Sequence, residues 1–433
     1  MKQALARPFW FAAASALALE VLFAAMLRLG NLKERVVEFI ALALAAGIVY
    51  LVGLFWLERT ADSRRARLLV LAAALAFRAT LLPLWPSLSD DFYRYRWEGR
   101  VQDAGVNPYT VRPDDTKLTA LRDAFWDRAS GKDSPTIYGP LAELFYRLNY
   151  RLAPGGPPGS SVVGMKAAYV LLDLGILLLI MRLLALRGKP VTAAAIYAWS
   201  PLVVVEFAAS SHLDSLVVIL LVAAILWIIK QRPALSTVAL ASAAAVKYFP
   251  VVFLPLLTRR LRYWLWFVVV LALWYLPFLS AGHRLFDGLR YYYLHWQNNG
   301  SLYALWQWVG FPRAVADGIL YGVVLGMVGY FAWWRADSLR AVYLVAGALW
   351  LLSPNLFPWY LTMLVPFLCF FPNPAWLLLT VTSVLSYEVL IDSSALGIWH
   401  WNPYLRWLEY APFFVLLIAR YAKSRRAANQ PAA

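Results

Sequence analysis

Apolar runs of about 20 residues, separated by short polar segments, succeed one another along almost the whole chain. A run of that length crosses a hydrocarbon core of about 30 Å as a single helix. The straight runs fall at about 8–29, 36–57, 68–86, 162–181, 192–209, 213–229, 263–279, 314–334, 341–352, 375–391 and 405–421. Two stretches break the rhythm. At 234–257 the sequence Lys247-Tyr248-Phe249-Pro250 sits in the middle of apolar residues, and SPNLFPWYLTMLVP carries Pro354, Pro358 and Pro366. A lysine in mid-membrane costs about 2.5–3.5 kcal/mol on insertion scales, and proline breaks a helix. Each stretch therefore predicts a short helical hairpin, which is tolerated at membrane depth only where it lines a protein cavity.

Basic residues fix the orientation of these runs. Arg59, Arg64, Arg65 and Arg67 lie between the second and third runs, and Arg182, Arg187, Lys189, Lys230, Arg232, Arg259, Arg260, Arg262, Arg335 and the tail AKSRRAANQ recur at matching places. The positive-inside rule assigns all of them to the cytoplasm. Both termini then come out cytoplasmic, which demands an even number of crossings, about 12–14. After Met1-Lys2 the first apolar run is long enough to stay as an anchor rather than be cleaved. Residues 87–160 form the largest polar region, on the exoplasmic side. At about 70 residues that region is too small for a separate core and is expected to lie across the membrane surface, with 138–152 as an interfacial helix and APGGPPGSS as a turn. A later external loop carries Trp399, His400 and Trp401. The expected fold is all-α: one polytopic integral membrane domain over 1–433, with broken hairpins and an exoplasmic juxtamembrane helix.

Composition agrees. Of 433 residues 62% are hydrophobic and 15% charged, with 21 Trp and a mean hydropathy of +0.60, beyond the range of soluble domains. The net charge of +16 is carried by the short inter-span segments, so it reads as topology and not as a nucleic-acid surface. Cys369 is the single cysteine, so the chain has no disulfide framework.

Candidate chemistry centres on SDDFYRYRWEGRVQDAGVNPY at 89–109, immediately after the third run. Asp90 and Asp91 sit at a membrane exit, where partial dehydration and a neighbouring like charge both raise carboxylate pKa values and suit acid–base work. Helical spacing then puts Asp91, Tyr95, Glu98 and Gln102 on one face. An ordinary juxtamembrane helix with Asp90 as its N-cap has the same pattern. Tyr138, His212, Asp214, Lys247, Asn355 and Tyr360 also fall at exoplasmic span ends or hairpin tips, which makes one shared cavity the expectation. Glu20, Asp173, Glu206 and Glu388 are intramembrane acids read as bonds between helices, Glu20 with Arg28, and are left outside the site.

The order and spacing of SDDFYRYRWEGRVQDAGVNPY, PTIYGPLAELF, SSHLDSL, AAAVKYFPVVFLPLL and NLFPWYLTMLVPF resemble the bacterial polytopic glycosyltransferases of the GT-C superfamily, the mannosyltransferase-like group that uses polyprenyl-phosphate sugars. Asp90-Asp91 stands where many relatives have Asp-Glu, Glu98 where they carry Asp, Gly139-Pro140 for Pro-Pro, and Leu213 for an amide. The resemblance implies transfer of mannose or another hexose from a lipid-phosphate carrier, at the periplasmic face of a bacterial inner membrane, to a glycolipid, polysaccharide or protein acceptor. Such a reaction needs a base for the acceptor hydroxyl and a cation for the departing phosphate. Asp90 is expected as base with Asp91 as partner or alternate, Lys247 as the phosphate contact with Arg94 assisting, and Asp214, His212 and Tyr138 on sugar hydroxyls. One carboxylate in a single displacement implies inversion. No cofactor is expected. No ligand cluster calls for a metal, although the acidic pair could hold one, which chelator sensitivity measures. A lipid or sugar transporter also uses broken helices and a cavity lysine, but at the midplane.

Overall fold

The computed structural model describes residues 2–153, 158–396, 399 and 401–428; His400 and residues 154–157 of the turn lie outside the described residues. Among them the regular structure is helical, and extended pairing is confined to isolated bridges between Asn298, Asn299 and Asn355. Among the described residues six helices are long and apolar enough to cross a membrane: Arg7–Leu29, Val36–Glu58, Gly159–Leu186, Leu261–His295, Arg313–Trp333 and Pro374–Ser393. The run at 192–209 is not straight. Ser200 leaves the helical region ahead of Pro201, with ψ at 118°, and Val191–Ala198 and Pro201–Ala209 meet at 59°. Asp214–Ile229, Pro233–Ala244 and Ser338–Leu352 are shorter apolar helices. The larger number of segments expected from sequence counts such short and broken runs as well. Leu17, Val21, Val37, Ile48, Leu171 and Leu178 point outward, a belt that suits lipid and not water.

The first three helices define the two ends of the bundle. Helix α1 (Lys2–Leu29), α2 (Val36–Glu58) and α3 (Arg64–Leu81) run back and forth, and 23 residues of α2 separate its ends by about 35 Å at 1.5 Å per residue. One end holds Asp62, whose carboxylate accepts from Val191 N–H at 2.9 Å, and Asp337, which pairs with Arg187 at 2.6 Å. The other end holds the turn between α1 and α2, where Leu32 N–H donates to Ser87 Oγ at 2.9 Å. Asp214 begins its helix, Lys247 follows Pro233–Ala244 and Asn355 follows Ser338–Leu352, so all three reach the Ser87 end, opposite the basic segments.

Helix α3 stops at Leu81, short of residue 86, because Pro83 and Pro86 cannot continue it. In its last turn Arg78 is buried. Its guanidinium meets both oxygens of Asp173 at 2.6 and 3.2 Å and Ala198 C=O at 2.7 Å, and Tyr197 OH donates to Asp173 at 2.6 Å. The membrane charge at Asp173 is thus paired and fully bonded between helices. Glu20 does not meet Arg28: Thr80 Oγ1, on α3, bonds its carboxylate instead.

Residues 91–152 fold as a cap of two helices, α4 (Asp91–Asp103) and α5 (Pro140–Leu152), with short 3-10 turns between them. They pack closely at Gly99, where a Cβ would stand 2.4 Å from Tyr146 O. Gln102 Nε2 bonds Glu143 at 2.7 Å, and Thr136 Oγ1 bonds the other oxygen of the same carboxylate. Trp97, Val101 and Leu118 give the cap a small apolar cluster of its own.

Candidate active site

Asp90 and Asp91 are adjacent in sequence but face different neighbours. Asp90 precedes α4 and makes no cap bond, so the reading of it as an ordinary N-cap does not describe it. Its side chain, 42% exposed, lines a polar cavity of about 340 Å3 with Asn31, Lys33, Asp127 and Arg128. Lys33 Nζ is 3.6 Å from Asp90 Oδ2. Enclosure in this concave wall pushes the carboxyl above its ordinary value; Lys33 pulls it down, and the charge of Asp91 adds to the rise. Asp91 begins α4 and turns inward. Tyr95 OH lies 3.4 Å and Ser130 Oγ 3.5 Å from its oxygens.

Tyr95, beside Asp91, meets the Tyr138 ring edge-on at 5.3 Å, and Tyr248, next to Lys247, donates from its hydroxyl to Tyr138 O at 3.4 Å, so a chain of tyrosines joins the inner side of the acidic pair to the broken hairpin. Lys247 occupies the hairpin turn as expected. Its Nζ sits 2.9 and 2.8 Å from the two oxygens of Asp214 and 4.7 Å above the Tyr360 ring. Asp214 opens its helix without capping it; its carboxylate, 1% exposed, is committed to Lys247. Tyr360 OH meets Tyr292 OH at 2.9 Å, and the Tyr360 ring stacks on Trp350. Tyr138 enters through Gly139. Gly139 N–H donates to Val246 O at 3.1 Å, Leu141 N–H donates to Ala245 O at 2.9 Å, and a Cβ at Gly139 would stand 2.2 Å from Ala245 O. Glycine rather than proline at 139 has a physical reason: the cap's backbone lies directly on the hairpin and donates to it.

Three expected contacts take other employment. His212 is buried rather than open to water or substrate: its ring stacks on Trp359 at 4.0 Å and Nδ1 lies 2.9 Å from Glu206 Oε2. Glu206 therefore belongs next to the candidate residues and not outside them; Tyr387 OH donates to its other oxygen at 2.7 Å. Arg94 does not reach toward a phosphate. Its guanidinium is spent on Glu98 and on the carbonyls of Ser130, Gly131 and Ser134, because the loop folds over α4 and the buried Glu98 needs a cation. Burial pushes the Glu98 carboxyl up against the pull of Arg94. Asn355 fastens two loops, donating from Nδ2 to Trp296 O at 3.2 Å, while Leu356 N–H donates to Asn298 O at 2.8 Å.

An open carboxylate cavity and a cation on a membrane hairpin, at one end of a helical bundle, suit a group transfer at the membrane surface. Residues 9–263, more than half of the 433, match the family model described as alpha-(1->6)-mannopyranosyltransferase, N-terminal domain. The chain belongs to this family. It is a multi-pass membrane mannosyltransferase, as the GT-C-like resemblance implied. No curated protein and no solved structure matches the chain. The acidic pair, Tyr138, Asp214 and Lys247 of this mannosyltransferase lie inside the matched segment, and Asn355 and Tyr360 lie beyond it. Sequence reasoning missed Lys33 and Arg128 in the Asp90 cavity. Alternation of the spans already placed the 30–35 turn at the same end as Asp90, and that was the available signal for Lys33. Arg128 comes from the loop, whose path no periodicity specified. Among the described residues no group of three His, Cys, Asp or Glu side chains is placed to hold a metal.

Proposed function

We propose that this mannosyltransferase moves a mannosyl unit from a polyprenyl-phosphate carrier to a hydroxyl of a glycan acceptor, at the exoplasmic face, by a single inverting displacement with Asp90 as general base. The acceptor C–OH loses its proton to Asp90, its oxygen bonds to the anomeric carbon, and the bond from that carbon to the phosphate oxygen breaks. If the product linkage is the α-(1→6) bond of the family's description, inversion requires a β-configured sugar phosphate as donor. The observation that carries this reading is the position of Asp90, solvent-open in the polar cavity and raised in pKa, while its neighbour Asp91 faces Tyr95 and Ser130. A base must ionise near neutral pH and still attract a proton. Lys247, oriented by Asp214, has an N–H left for an anionic oxygen, since an ammonium has three donors. Tyr360 and Tyr138 border the same place, and His212 braces it through Trp359.

The exoplasmic assignment rests on the basic segments at 59–67, 182–189, 230–232, 259–262 and 335, which lie toward the end opposite Asp90. In a bacterial cell that face is the periplasm, with the protein in the inner membrane. Purified protein given labelled polyprenyl-phosphate mannose and a mannan acceptor is expected to transfer the label and release polyprenyl phosphate. Cysteines placed at Ser89 and Ser353 are expected to react with an impermeant reagent from outside. Labelling only from the cytoplasm, or release of sugar without transfer, sinks the proposal.

A further inference from the structure

We infer that the cavity around Asp90 is the acceptor subsite, and that it takes a neutral saccharide end rather than any part of the lipid carrier. The inference rests on the reading of Asp90 as base. Asn31, Lys33, Asp127 and Arg128 line the cavity with Asp90, and Ala129 is the one residue of its lining without a polar side-chain atom. A polyprenyl chain has nothing to bury there, so the carrier lies elsewhere and the water-soluble substrate is left. The volume of about 340 Å3 falls in the range of about 300–1,000 Å3 that holds small ligands. The charges balance, with Lys33 and Arg128 against Asp90 and Asp127. An anion would gain two cations but face two carboxylates, whereas a sugar's hydroxyls both donate and accept and so use all four groups.

The cavity is built from distant parts of the chain. Lys33 and Asn31 come from the turn between α1 and α2, held to the start of the cap by the Leu32 N–H to Ser87 Oγ bond. Arg128 is fixed from below, with its guanidinium 5.5 Å from the Trp85 ring and 5.8 Å from the Tyr93 ring, and Nη1 3.4 Å from Tyr93 OH. Asp127 is held through its backbone by Lys132 Nζ at 2.7 Å, which leaves its carboxylate available. A hydroxyl seated among these groups is presented to the Asp90 carboxylate in the same wall. Asn31 bonds Glu34 from Nδ2 at 2.6 Å and accepts from Lys33 N–H at 3.2 Å, which leaves one amide hydrogen for a ligand; that hydrogen and the Asp127 carboxylate are then specificity-determining for the acceptor.

The test is steady-state kinetics of the purified enzyme with polyprenyl-phosphate mannose and a soluble α-linked mannotriose. Asn31→Ala and Asp127→Asn are each expected to raise the acceptor KM about three- to tenfold, the worth of one or two hydrogen bonds, with the donor KM unchanged. A rise in donor KM alone, or no change in either, overturns the inference. Binding supplies an independent reading: mannotriose titrated calorimetrically into Asp90→Asn protein is expected to bind, and to bind about as much more weakly when Asn31→Ala is added. Inorganic phosphate competing with mannotriose in that titration also overturns it. Full transfer activity in Asp90→Asn instead sinks the assignment of the base, a separate failure, because the calorimetry reads binding without catalysis.

Discussion

Lys247 Nζ lies 2.9 and 2.8 Å from the two carboxylate oxygens of Asp214, on a turn that the sequence marks only as a cation inside an apolar run. The pair accounts for how the lysine is tolerated. Removing one partner of a buried pair costs about 3–5 kcal/mol because the other charge is stranded. Lys247→Ala is therefore expected both to destabilise the protein and to weaken binding of polyprenyl-phosphate mannose and of polyprenyl phosphate. The double variant Lys247→Ala with Asp214→Asn separates the effects: thermal stability should recover while lipid binding stays weak. Normal binding of both lipids by the double variant makes the pair purely structural.

General-base catalysis is worth about 10²–10⁴-fold. Asp90→Asn should lower kcat by about that factor with little change in donor binding, measured by turnover and lipid binding side by side. Because Asp91 faces Tyr95 and Ser130, Asp91→Asn should act on donor KM more than on kcat. The reverse pattern exchanges the two roles.

The rate should also report the Asp90 environment. Its pKa in the folded protein is raised, chiefly by burial, so the base is lost as pH falls through that raised value, above the ordinary Asp value of about 3.9. Lys33 opposes the rise. Lys33→Met is thus expected to shift the acidic limb of the kcat profile to higher pH, and a limb that stays put or moves down separates Asp90 from catalysis. For stability the sign is opposite to that of a salt-bridged acid: the folded state binds the proton more tightly, so this group favours folding below its raised pKa and detracts from it above.

Gly139→Ala places a Cβ 2.2 Å from Ala245 O, a backbone atom. The hairpin must then shift or the cap must lift. Since the Lys247 turn follows within two residues, donor KM is expected to rise by about tenfold or more from a single methyl group, by the same sensitivity that makes a displacement of about 1 Å at a distance costly to catalysis. Kinetics indistinguishable from the unsubstituted enzyme would show the contact to be yielding.

Hydrophobic run length, proline placement and the spacing of basic segments determined the all-helical, multi-pass body, the turn at Lys247 and the common end at which Asp90, Asp214, Lys247 and Asn355 fall. Those signals are local or one-dimensional: a span needs about 20 apolar residues whatever it packs against, and a proline breaks its own helix. Partner choice is not local. Whether Glu20 meets Arg28 or Thr80, whether Arg94 faces a phosphate or the buried Glu98, and whether His212 faces water or lies between Glu206 and Trp359 depend on which helices lie side by side, and helix periodicity is the same for every neighbour. The Asp90 cavity is the sharpest case, because Lys33 and Arg128 lie 57 residues before and 38 after Asp90 and meet around it only once the α1–α2 turn and the cap are folded against each other.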